Sequence, residues 1–193
     1  FRSHGSGSVG DGTAGTNRLA PVRVGSSTWK SVTVGNGHTC GISSADTLWC
    51  WGANDLGQLG LGTNVAVYAP TQVGAAEWKV VAAGARHACA VRSDDTLWCW
   101  GENVSGKLGD GTTTNRTSPV QVGSTTWSTV TAGDNQTCGI QRTGTLWCWG
   151  YNSSGQLGNG TTVDRALPTQ VGTLDRWYAV DAGAYHVEAL LKD

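Results

Sequence analysis

The most specific chemistry in this 193-residue sequence lies in its six cysteines, which form three pairs ten residues apart: Cys40 with Cys50, Cys89 with Cys99, and Cys138 with Cys148. Thiols at such spacing either ligate a metal or close a disulfide. Zinc sites favour CxxC pairs joined by matched histidines, whereas this sequence has no CxxC and at most one histidine beside each pair. A tight turn over residues 43–46 instead sets Cys40 directly across from Cys50 on neighbouring antiparallel strands, with Cβ atoms about 4.5–5.5 Å apart, near what a disulfide requires. The same register pairs the other four cysteines. Three disulfides are therefore expected, no metal site, and an oxidising compartment.

Little else offers chemistry. His38, His87 and His186 fall in one column, with Gln136 in the remaining place, just after a turn. Equivalent positions of a repeat are spread out rather than brought together, so hydrogen bonding within the scaffold is the expected role. His4 lies outside the column. The loops Gly10-Asp11-Gly12-Thr13, Gly109-Asp110-Gly111-Thr112 and Gly158-Asn159-Gly160-Thr161 lack the alternating acids of a calcium loop and the GK[ST] of a phosphate loop. Gly60-Leu61-Gly62-Thr63 keeps the glycines without the acid, as a backbone turn would. With no nucleophile, base and orienting group standing out from the repeat, neither an enzyme nor a cofactor is expected. Sequons occur at Asn103, Asn115, Asn135, Asn152 and Asn159. The net charge of −1, with 14% of residues charged, argues against a nucleic-acid partner or an anionic membrane surface. No apolar run reaches the roughly 18 residues that a membrane helix needs.

The elements that position these residues follow from the repeat. Trp29, Trp78, Trp127 and Trp177 are spaced by 49, 49 and 50 residues, and Pro21, Pro70, Pro119 and Pro168 each precede a Val-Gly step. The other six of the ten tryptophans pair as Trp49 and Trp51, Trp98 and Trp100, and Trp147 and Trp149. In one unit, residues 29–34, 39–42, 47–51 and 71–73 read as four strands punctuated by glycine turns. Four short strands at this period cannot bury both faces alone and must stack on neighbours, as propeller blades do. The fold expected is all-β: a β-propeller of four-stranded antiparallel blades, about four repeats of ~49 residues, alone or part of a larger ring. The tryptophan columns suit blade-to-blade packing better than stacking platforms for ligands.

The run His38-Thr39-Cys40-Gly41-Ile42, followed by Leu48-Trp49-Cys50-Trp51-Gly52, Asn54 and Gly57-Gln58-Leu59-Gly60, resembles the repeat of the regulator of chromosome condensation family. It recurs over residues 87–109 and 136–158, so the resemblance spans nearly the whole chain. It implies a propeller, commonly of seven blades. Units are expected at 29–77, 78–126 and 127–176, with 1–28 and 177–193 as outer and inner parts of a split blade, Phe1 standing in the column of Trp51. Three arrangements fit: a small ring with a gap, two chains sharing a larger ring, or an excerpt of a longer array.

Function is expected where the repeat varies. The turn between first and second strands reads Asn36-Gly37, Ala85-Arg86, Asp134-Asn135 and Ala184-Tyr185, making Asn36, Arg86, Asp134 and Tyr185 the candidate partner-binding residues. A second variable loop covers residues 65–68, 113–116 and 162–165. The reading is a secreted or cell-surface protein-binding scaffold, with a protein partner, a glycan, or a second copy completing the ring. The alternatives are a lectin-like propeller and a structural segment of a longer surface protein.

Overall fold

The computed structural model describes residues 7–15 and 18–193; the expectations for Phe1 and His4 lie outside them. The strands are β1 (Trp29–Val34), β2 (His38–Ser43), β3 (Thr47–Gly52), β4 (Val67–Ala83), β5 (His87–Arg92), β6 (Thr96–Gly101), β7 (Arg116–Ala132), β8 (Gln136–Gln141), β9 (Leu146–Gly150), β10 (Arg165–Gln170), β11 (Trp177–Ala182) and β12 (Val187–Leu191). Each pairs antiparallel with its neighbours in sequence, except that β11 pairs only with β12.

The chain therefore builds three four-stranded sheets and a two-stranded one, with two strands shared. Residues 67–77 of β4 form the outer strand against β3, and residues 78–83 form the inner strand against β5; β7 repeats this between the second and third sheets. The sequence suggests separate strands here. Instead β4 and β7 each run 17 residues without a break, passing through Gly74 and Gly123, whose φ of 61° and 62° falls in the left-handed region that favours glycine. In the third link, where the repeat is one residue longer, the strand divides into β10 and β11.

Every sheet uses one face to cover the next. Cys40, Ile42, Leu48 and Cys50 of the first sheet pack on Trp78 and Trp100 of the second. Cys89, Val91, Leu97 and Cys99 pack likewise on Trp127 and Trp149 of the third, and Cys138, Ile140, Leu146 and Cys148 on Trp177, Val180 and Val187. Within each four-stranded sheet the two indoles of the tryptophan face meet tilted or edge-on, with centroids 5.5–6.1 Å apart. The turns reinforce the stacking. The Asp46 carbonyl accepts the Trp78 amide at 2.8 Å, and Asp95 does the same for Trp127.

Candidate functional site

Cys40–Cys50, Cys89–Cys99 and Cys138–Cys148 are all joined by disulfides, with Cα atoms 4.1 Å apart. The hairpin register places each pair directly opposite, as the turn at residues 43–46 requires. All six sulfurs lie inside the inter-sheet core, so they staple rather than react. In β12 the column of the first cysteine holds Glu188, which is exposed.

The histidines explain a glycine column. A Cβ on Gly35 would come within 2.2 Å of His38 Cε1 and 2.3 Å of the Gly84 carbonyl, and Gly84 stands in the same relation to His87 and the Gly133 carbonyl. Each imidazole thus fills the space above its own glycine, beside a glycine carbonyl of the next sheet. His87 Nε2 is 2.9 Å from Thr137 Oγ1 of the next sheet. His38 meets no such hydroxyl, because Ala88 occupies that column. Burial holds His38 down to about 4 and His87 well below the ordinary imidazole value, so both are neutral. Gln136 takes the same place in the third sheet and donates to the Gly183 carbonyl at 2.9 Å.

A second column, Asn54, Asn103 and Asn152, organises the long loop after the third strand. Each is buried, and its Oδ1 accepts the amide of Leu59, Leu108 or Leu157 at 2.9–3.0 Å. Each Nδ2 donates to two loop carbonyls: Thr63 and Val65, Thr112 and Thr114, or Thr161 and Val163. Their recurrence at a fixed distance after the Trp-Cys-Trp-Gly run is the sequence signal for this hub. Two of the five sequons, Asn103 and Asn152, are therefore closed to a glycosyl transferase in the folded chain. The glycine-rich loops are clasped internally: Asp110 Oδ2 accepts from Arg116 at 2.7–2.8 Å, and Asp11 Oδ2 from Arg18 at 2.5 Å.

The inner turns and the long loops emerge at the same ends of their strands and so share one face. Asn36 and Asp134 line one cavity of about 340 Å³ together with Ala85 and Ala184, at the inner edges of the sheets. Backbone bonds tie these turns into a chain: Asn36 N to Ala85 O, Ala85 N to Gly133 O, and Asp134 N to Ala184 O, at 3.0–3.4 Å. Arg86 and Tyr185 stand one residue beyond the cavity, both exposed, with Arg86 Nη1 3.7 Å from Asp55. None of the ten tryptophans is exposed, in keeping with their packing role. Among the described residues, no cluster of histidine, cysteine and carboxylates has the makings of a metal site.

Stacked antiparallel sheets with their inner turns gathered about one cavity define a β-propeller array, tied here by a disulfide in each four-stranded blade. The model of the regulator of chromosome condensation (RCC1) repeat matches residues 46–91, 94–140 and 143–190, and a second model of that repeat matches 29–58, 78–107 and 127–156. The chain belongs to the RCC1 repeat family. Its fold is similar to that of human WBSCR16, with a TM-score of 0.79 and 20% identity over 92% of this chain and 48% of that one. Prp20p of Saccharomyces cerevisiae, described with its binding to Gsp1p and histones, gives a TM-score of 0.75 and 19% identity over 83% and 43%. The ectodomain of the Arabidopsis thaliana receptor kinase ACR4 gives 0.53 and 20% over 87% and 47%. The chain thus spans less than half of each of these structures. No curated protein matches it by sequence.

Proposed function

We propose that the chain is a protein-binding propeller scaffold working outside the reducing cytoplasm, and that it engages its partner through the face bearing Asn36, Arg86, Asp134 and Tyr185. The observation behind this reading is the backbone-bonded chain of inner turns, a rigid platform on which the side chains differ from blade to blade while the frame repeats. Arg86 and Tyr185 are of the types that dominate binding energy at interfaces. Three buried disulfides support an oxidising compartment. Prp20p, of the same fold, binds proteins. A further blade, from a longer chain or a second copy, is the natural cover for the exposed ends of the array, with 29–77, 78–126 and 127–176 as its complete units.

Photo-crosslinking tests the reading. A crosslinker placed at position 36, 86, 134 or 185 should trap a discrete partner from the extracellular milieu, and one at Ser44 or Asp94, on the turns at the opposite strand ends, should not. Equal trapping from both faces sinks the assignment. Thiol labelling of the chain isolated from its own source should find six unreactive cysteines; free thiols would remove the oxidising compartment.

A further inference from the structure

One departure from the repeat meets two variable positions at one point, between the second and third sheets. Lys107 stands where the neighbouring repeats have Gln58 and Gln156, Glu102 where they have Ala53 and Tyr151, and Asn135 in the column of Gly37, Arg86 and Tyr185. The Lys107 side chain is 0% exposed. Its Nζ donates to Glu102 Oε2, to Asn135 Oδ1 at 2.8 Å, and to the Asp134 carbonyl at 3.4 Å. The scaffold does not need a cation here. Gln58 fills the equivalent position by bonding Asp55, and Gln156 by accepting the Ser154 amide. A buried ammonium is costly even when paired, so an uncharged amide would satisfy the fold more cheaply.

We propose that Lys107 and Asn135 become joined by an intramolecular isopeptide bond, with Glu102 relaying the proton. An amine, a carboxamide and a carboxylate in contact, with the amine wholly buried and the other two half-buried, are the full set of groups for that reaction. Asn135 Cγ is one bond from the oxygen that Nζ already touches. Glu102 takes a proton from Nζ, and the free amine attacks Cγ, forming the Nζ–Cγ bond. Glu102 returns that proton to Nδ2 and takes the second one from Nζ, the Cγ–Nδ2 bond breaks, and the ammonia departs with the second proton as ammonium. Oxidation states do not change and no further reactant is needed. Burial shifts Lys107 below the ordinary lysine value, which favours the nucleophilic form. Both reacting residues are anchored: Thr137 Oγ1 donates to the Lys107 carbonyl at 2.8 Å, and the Tyr151 amide to the Asn135 carbonyl at 2.8 Å. Such fixed placement is what makes an intramolecular reaction fast. The bond would link two sheets, whereas each disulfide lies within one.

The folded, disulfide-bonded full chain should have an intact mass lower by one ammonia than its sequence with three disulfides requires. A reduced digest should yield a branched peptide joining Lys107 to Asn135. Lys107→Gln, the residue of the neighbouring repeats, should fold with its disulfides intact and retain the full mass. Glu102→Gln should slow the loss at least tenfold. A folded wild-type chain that keeps its full mass after long incubation overturns the proposal. So does loss of ammonia without the branched peptide, the result of succinimide formation at asparagine. Unchanged kinetics in Glu102→Gln would overturn the relay.

Discussion

His38 and His186 share a column but not an environment: among the described residues a further sheet stacks on the first and none on the second. Covered by the second sheet, His38 stays neutral with its pKa near 4, against 6.5 for a free imidazole. A group whose folded pKa is depressed takes up its proton more readily when unfolded, so its neutral form stabilises the fold fully above pH 6.5 and progressively less toward pH 4. The loss from His38 is on the order of 3 kcal/mol, and His87 adds to it in the same direction. His38→Gln installs the residue that already serves at position 136, where it donates to a neighbouring glycine carbonyl. The variant should fold, and its denaturation midpoint should fall less between pH 6.5 and 4 than that of the wild type; equal slopes would show that His38 does not titrate in this range. Asn103 is a harder site to change. Asn103→Ala strips acceptor and donors from a buried hub, exposing the Leu108 amide and the Thr112 and Thr114 carbonyls to an apolar gap. A cost of about 2–3 kcal/mol in urea unfolding is expected, where an exposed asparagine such as Asn64 would cost almost nothing.

Among the elements, the hairpin carrying each cysteine pair was the most legible in the sequence. Strand length, turn and register follow from one short segment, and three copies repeat it, so the disulfides could be placed before any long-range contact was known. Replacing Cys89 and Cys99 together by alanine releases a short loop in the unfolded chain and leaves small voids against Trp127 and Trp149. The expected loss is about 2–4 kcal/mol, read as a lower denaturant midpoint that added reductant no longer shifts at the second sheet. The fused β4 and β7 were not legible, because the glycine column is the same at Gly74, Gly123 and Gly172, and the strand continues through the first two links but divides in the third. Neither was the cluster of Lys107, Glu102 and Asn135. Two of its members lie in the loop of one repeat and the third in a turn of the next, and they become neighbours only when sheets stack. The four candidate binding residues were found by their variation, yet the sequence could not separate Asn36 and Asp134, which line the cavity, from Arg86 and Tyr185, which stand outside it.

At the scale of the molecule, the array has a repeating interior and two unlike ends. Val32, Val81, Val130 and Val180 occupy one column of the inner strands. Val81, Val130 and Val180 pack against the cysteine-bearing face of the preceding sheet, and Val130 is only 4% exposed. Among the described residues Val32 has no such sheet before it, only the segments of Ser8, Val9, Val22 and Val24, and is 53% exposed, with Val34 at 66%. In a stack whose stability is a sum of sheets and nearest-neighbour interfaces, the same substitution should then read out its place in the array. Val130→Thr buries a hydroxyl between two sheets and should cost about 1–2 kcal/mol of unfolding free energy. Val32→Thr should change it by less than about 0.5 kcal/mol while improving solubility, since it removes apolar surface from an open face. Urea unfolding of both variants, with concentration-dependent sedimentation alongside, decides the matter. Equal costs at positions 32 and 130 in the isolated chain would mean that the leading face is covered in solution. If that cost at position 32 also grew with protein concentration, the cover would be another copy of this chain.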